Sequence, residues 1–194
     1  SNITTYIGVS DTGLNRVCEN INALSSYARY LVVTPPFYFR ATPQEAADYL
    51  CRVADMSSKP VLAYNAPVFT QCMFDMNLVK QITSHSNIAG IKDSSGDWDF
   101  YCKELRYKDE AGLTDDQFML FCGKEDMLIN ALQAEKSNGV ISSWVHLMPE
   151  KWGELLQAVE NKERERDLLR FQKNCNAIKN RATTERYSPL SFIT

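Results

Sequence analysis

The sequence has little with which to hold a metal. Only two of its 194 residues are histidine, His85 and His146, and no Cys-x-x-Cys occurs among its six cysteines. A zinc site is therefore poorly supported. The cysteines stand scattered at 18, 51, 72, 102, 122 and 175. Such scatter fits reduced thiols in a cytoplasmic protein better than a disulfide framework, and most are expected as small apolar fillers. No basic tract stands out and the formal net charge is −3, so nucleic acid is not an expected partner. No apolar run reaches the roughly 18 residues of a membrane span. The first residues lack the basic and apolar regions of a signal peptide. No low-complexity linker splits the chain. With 44% hydrophobic and 23% charged residues, the composition supports one domain with a real core.

What is present is an alternation. Short apolar stretches near 5–9, 30–34, 60–64, 87–92, 117–122 and 139–143 read as strands. Helical stretches lie between them. In 13–28, Leu14, Val17, Cys18, Ile21 and Leu24 recur at helical spacing. In 42–57, Thr42 suits the N-cap, Pro43 the first turn, and Glu45 completes a capping box. Further helices are expected near 75–85, 97–106, 126–137, 149–160 and 163–181, with a polar loop from 107 through Gly112. The charge run at 163–167 reads as a solvated face. One strand and one helix per 22–30 residues is the β/α repeat of a parallel sheet.

Two strand ends carry chemistry. In 88–97, Ile-Ala-Gly-Ile-Lys-Asp-Ser-Ser-Gly-Asp, four small or apolar residues deliver Lys92 to the mouth of the sheet. A desolvated amine has a lowered pKa, and a neutral amine can attack a carbonyl to form a Schiff base. The plainer reading is a surface lysine paired with Asp93 or Asp97. In 60–67, Pro-Val-Leu-Ala-Tyr-Asn-Ala-Pro, a second strand ends in Tyr64, about one β/α unit earlier. If the two strands are neighbours, a phenol stands beside the amine as a proton carrier.

These segments resemble the class I aldolases related to dihydrodipicolinate synthase and N-acetylneuraminate lyase. The matching pieces, in family order, begin with Tyr-Ile-Gly-Val-Ser-Asp-Thr (6–12), Leu-Val-Val-Thr-Pro-Pro-Phe-Tyr-Phe (31–39) and Tyr-Asn-Ala-Pro (64–67). Gly-Ile-Lys-Asp-Ser-Ser-Gly-Asp (90–97), Phe-Cys-Gly-Lys-Glu-Asp (121–126) and Gly-Val-Ile-Ser-Ser (139–143) complete them. The resemblance implies an α/β fold of the (β/α)8 barrel type with about six β/α units present, strands three to eight, over residues 1–160. Residues 161–194 would begin the family's C-terminal helical region. Against the family, the first two units are missing. The Gly-Thr-Thr-Gly-Glu-like loop that holds the substrate carboxylate is missing with them.

The resemblance also assigns roles. Lys92 would form a covalent imine with pyruvate or a longer 2-oxo acid, without any further cofactor, and Tyr64 would carry protons. Tyr38 would reach across a subunit interface, implying a homodimer or homotetramer. Its plainer reading is part of an exposed aromatic cluster, Phe37-Tyr38-Phe39, that packs an interface. Gly123 and Ile141 would line the site. Glu125, Asp126, Ser142 and Ser143 would meet distal hydroxyls, although Glu125 and Asp126 also suit a helix cap.

Two departures bear on the substrate. Phe69 stands where dihydrodipicolinate synthases place an arginine that grips the aldehyde's carboxylate. His146 stands where many relatives have asparagine. The expected function is thus a Schiff-base aldolase or lyase for 2-oxo acids and aldehydes, of the 2-keto-3-deoxy sugar acid or N-acetylneuraminate type. The alternatives are a dihydrodipicolinate-synthase-like condensing enzyme, or an inactive truncated relative that binds an oxo acid or assists assembly.

Overall fold

Five of the six apolar stretches form strands: β1 (Tyr6–Gly8), β2 (Tyr30–Val33), β3 (Val61–Asn65), β4 (Ile88–Asp93) and β5 (Met119–Cys122). They lie side by side in sequence order, each neighbouring pair parallel. The sixth stretch gives a single bridge residue, Val140 opposite Cys122. A 3-10 turn, Ser143–His146, takes over soon after. This computed structural model describes residues 3–146, 149–161, 168–171, 173–174 and 177. Of the helix expected at 163–181, the described residues 168–171, 173–174 and 177 are helical, and the rest lie outside the described residues.

The helices follow the periodicity. They are α1 (Leu14–Leu24), α2 (Pro43–Met56), α3 (Pro67–Thr70), α4 (Met76–Thr83), α5 (Trp98–Glu110), α6 (Leu128–Gln133) and α7 (Pro149–Glu160). The expected capping box opens α2. The Thr42 hydroxyl accepts from the Glu45 amide at 3.3 Å, and the Glu45 carboxylate accepts from the Thr42 amide at 2.8 Å. Such a cap stabilises a helix by about 0.5–2 kcal/mol.

Helix α5 runs four residues past the expected end at 106. The reason is Lys108, a charged residue that is fully buried. Its amine donates to Asp115 Oδ1 at 2.6 Å, Asn138 Oδ1 at 2.8 Å and the Lys136 carbonyl at 3.1 Å. A buried cation is tolerated only when its hydrogens are satisfied in this way. The composition of 107–110 looks solvated, but one side chain in it is anchored inward.

The two faces of the sheet differ. Leu31, Val33, Val61, Ala63, Ile91, Leu120 and Cys122 face the helices and share one core with Val17, Ile21, Leu50, Val53, Leu78, Ile82 and Tyr101. Residues alternating with them, including Val32, Tyr64, Lys92 and Phe121, are only half-buried. That alternation follows from period-two side-chain geometry with helices on one face. The second face carries the cavity described below. A smaller cluster joins Leu128, Ile129, Trp152, Leu155 and Leu168. Among the described residues no helix is long and apolar enough to cross a membrane.

Candidate active site

Strands β3 and β4 pair so that Tyr64 stands directly opposite Lys92. Both side chains point to the half-open face. The Lys92 amine lies 4.2 Å from the centre of the Tyr64 ring, over its face. A cation over an aromatic face at this distance is attracted by about 0.5–1 kcal/mol when exposed and more when desolvated. Both residues line a cavity of about 490 Å³, together with Ile141 from beyond β5. Lys92 is half-buried, a lesser burial than its apolar lead-in suggests.

The surface-pair reading of Lys92 does not match the structure. Asp97 caps α5, accepting from the Phe100 amide at 2.9 Å. Asp93 is fully buried and points away from the cavity, one residue out of phase with Lys92. Its carboxylate accepts from Asn65 Nδ2 at 2.5 Å, the Ser95 amide at 2.9 Å and the Ser95 hydroxyl at 2.6 Å. Asn65 and Asp93 are themselves register partners. Their bond therefore cross-links β3 and β4 one residue beyond the Tyr64–Lys92 pair. Burial pushes the Asp93 carboxyl above the ordinary carboxylate value, against the pull of these hydrogen bonds.

Gly123 is not among the cavity's lining residues, but it sets the path of Lys92. A side chain at Gly123 would collide with the Ser94 hydroxyl and come within 2.8 Å of Lys92 Cε. The Gly123 amide donates to the Asp93 carbonyl at 2.6 Å, drawing the two segments together. A glycine is needed because backbone and lysine share that space.

The other expected residues lie apart from the cavity. Tyr38 is 75% exposed, and its ring meets Phe39 edge-on at 4.9 Å. Its neighbour Phe37 lines this chain's own cavity. Glu125 accepts from the Ser142 hydroxyl at 3.1 Å and begins a 3-10 turn, Glu125–Met127. The N-caps of that turn and of α6 are Lys124 and Met127, so neither Glu125 nor Asp126 stands at the expected cap position. Ser143 and His146 are exposed.

Several residues were not expected. Ser10 and Thr34 line the cavity, and the Ser10 hydroxyl accepts from the Thr34 amide at 2.9 Å. Both lie just past the ends of their strands, whereas Tyr64 and Lys92 lie one residue inside theirs, so the same strand-end rule could have found them. Tyr6, stacked on Tyr30 at 5.1 Å, also lines the cavity. Glu104, on α5, is buried with neither carboxylate oxygen partnered among the described residues. Its carboxyl is held well above the ordinary value, first by burial and then by the charge of Asp93. No sequence signal marks it.

Comparison with known proteins agrees with the resemblance. The model of the dihydrodipicolinate synthetase family matches residues 12–192. A 2-dehydro-3-deoxy-D-gluconate/2-dehydro-3-deoxy-phosphogluconate aldolase of Picrophilus torridus is 30% identical over 135 residues, which cover 69% of this chain and 48% of that protein. A 4-hydroxy-tetrahydrodipicolinate synthase of Listeria monocytogenes is 26% identical over 188 residues, 91% of this chain and 62% of the relative. Among solved structures, YagE of E. coli K12, a prophage protein crystallised in complex with pyruvate, superposes with a TM-score of 0.80 at 25% identity. That match covers 94% of this chain and 60% of YagE. The chain thus spans about half to three-fifths of the length of these relatives. The parallel sheet and its helices are part of their (β/α) barrel, and the chain belongs to the dihydrodipicolinate synthetase family.

Proposed function

We propose that the chain is the Schiff-base-forming part of a class I aldolase or lyase acting on pyruvate and other 2-oxo acids. The observation that carries this reading is the pairing of Lys92 and Tyr64 across β3 and β4, with both side chains on one cavity. The Lys92 amine adds to the ketone carbon and water leaves, giving a protonated imine. That imine draws electrons from the neighbouring carbon–carbon or carbon–hydrogen bond. In cleavage an aldehyde departs; in condensation the enamine attacks one. Tyr64 moves the protons between the leaving or incoming oxygen and the imine. The covalent imine supplies the electron sink.

The finer parts of the reading are proposals of the same kind. The described residues up to 160 would form the barrel part, and most of the helical region expected over 161–194 lies outside the described residues. Tyr38 and Phe39, 75% and 77% exposed, form an aromatic surface that a second copy of the chain would cover. All five described cysteines are free thiols, which suits a reducing cytoplasmic setting. A sugar-acid substrate would find Ser142 one residue beyond Ile141, with Glu125 bonded to it.

The experiment compares the protein with its Lys92→Ala variant on a 4-hydroxy-2-oxo acid, following pyruvate release. Release by the parent and none by the variant supports the reading. Equal release by both, or none by the parent, contradicts it.

A further inference from the structure

The strand register puts a row of side chains on one wall of the cavity. Tyr64 pairs with Lys92 across β3 and β4. Extending the β2–β3 register by one residue sets Thr34 beside Tyr64, and extending the β1–β2 register by two sets Ser10 beside Thr34. The bond from the Thr34 amide to Ser10 Oγ, 2.9 Å, closes that last step. All four residues line the cavity. Neighbouring strands lie about 4.8 Å apart, so on a flat sheet Ser10 would stand well away from Lys92. The sheet is curled instead, for Tyr6 of β1 meets Phe121 of β5 ring to ring at 5.6 Å. Ser10 therefore faces Lys92 across the cavity. Its hydroxyl is held in one orientation. The Thr34 amide takes a lone pair of the oxygen, which directs the O–H away from that amide and leaves its hydrogen to donate. The Thr34 hydroxyl is itself buried and covered, so Ser10 is the hydroxyl that the ends of β1 and β2 present.

We propose that Ser10 is a substrate-binding residue whose hydroxyl donates to the carboxylate of the 2-oxo acid held by Lys92. This rests on the imine reading. The carboxylate is one bond from the carbon that Lys92 attacks, so it lies in the same cavity as the amine. It is an acceptor-only group with about four lone-pair sites, and it gains most from a donor that is already oriented. Ser10 adds one such donor from the end of β1, beside any others the carboxylate takes. Thr34 acts through Ser10, as a positioning residue, by its backbone amide.

The test uses the full chain and measures borohydride trapping on Lys92 with pyruvate and with acetone, which has a methyl group where pyruvate has its carboxylate. Each rate is taken per unit of ketone concentration, in the parent, Ser10→Ala and Ser10→Thr. The ratio of the two ketones within one protein removes general damage to the site, including a Thr34 amide left unpaired. Ser10→Ala should lower the pyruvate-to-acetone ratio by about tenfold or more, the range for losing a hydrogen bond to a charged group. Ser10→Thr keeps the hydroxyl and should hold the ratio within about threefold of the parent. An unchanged ratio in Ser10→Ala, or a fall as large in Ser10→Thr as in Ser10→Ala, overturns the inference and leaves the imine reading standing. If the parent traps no pyruvate on Lys92, both are overturned.

Discussion

The Lys92 amine rests over the face of the Tyr64 ring, 4.2 Å from its centre, and not at the phenol oxygen end of a strand-to-strand bond. The ring and the hydroxyl of Tyr64 are therefore separable. On the proposed function the ring holds the amine against the wall and the hydroxyl serves the substrate. Tyr64→Phe should keep the ring contact and keep imine trapping, while turnover falls by roughly 10²–10⁴-fold. Tyr64→Leu should lose both. Steady-state rates and borohydride trapping on the two variants separate the roles. Turnover of Tyr64→Phe at the parent rate would remove the proton-carrier role.

Two glycines should respond differently to one added methyl. At Gly123 the new carbon would meet Ser94 and the flexible end of Lys92. Gly123→Ala should fold but misplace the amine, and so slow imine trapping more than it lowers stability. At Gly90 the collision is with the Met119 carbonyl, within the β4–β5 pairing. Gly90→Ala should unfold the sheet edge, a loss of about 3 kcal/mol or more by the standards of core overpacking. Denaturant midpoints and trapping rates measured together distinguish the two outcomes.

The bond from Asn65 to Asp93 ties the two site-bearing strands behind the cavity. Asn65→Ala leaves a buried carboxylate short of one donor. It should cost about 1.5–3 kcal/mol, the range for hydrogen bonds to charged groups. A midpoint within error of the parent would show that Ser95 alone satisfies Asp93.

Glu104 gives the stability a pH dependence of unusual sign. Its carboxyl is raised above the ordinary value of 4.5 by burial and by Asp93. The native chain thus keeps a proton that the unfolded chain releases. Stability from this group is fully present below the ordinary value. It is lost as pH rises from there to the raised native value. Glu104→Gln keeps the shape without the charge. It should match the parent near pH 4 and exceed it near pH 8 by about 1–3 kcal/mol. Urea melts at the two pH values check this, and a gap that shrinks as pH rises would contradict it.

Phe69 lines the cavity at the position where the resemblance to dihydrodipicolinate synthases implies a carboxylate-gripping arginine. Aspartate semialdehyde should therefore be a poor partner for pyruvate here. Phe69→Arg should improve its use by roughly 10–150-fold, the worth of about 1.5–3 kcal/mol for a hydrogen bond to a charge. Efficient condensation by the parent would restore the synthase reading.

Much of this was legible in the sequence because period and caps act locally. The Thr42–Glu45 box, the strand ending in Tyr64 and the strand ending near Lys92 need only neighbours along the chain. What was not legible depends on distant partners. Lys108 is inside because Asp115 and Asn138 come to it, and the polar stretch 107–110 does not reveal that. Asp93 looked available to Lys92, but strand alternation turns it to the opposite face, where Asn65 meets it. Phe37 was not expected at the site, yet the loop after β2 turns it toward the cavity, while Tyr38 stays outward, where a reach across a subunit interface would need it. The sixth stretch is reduced to one bridge, Val140 opposite Cys122, and at Leu120 the amide is taken by the Asn138 side chain in place of a backbone carbonyl.

The central claim is that Lys92 is the amine that binds a 2-oxo acid. The most direct measurement treats the protein with pyruvate and borohydride, digests it, and locates the reduced adduct by tandem mass spectrometry. The account predicts one adduct, a gain of one pyruvate less one oxygen atom, on the peptide holding Lys92. It predicts none in Lys92→Ala. An adduct on another lysine, or equal labelling of the variant, would contradict it.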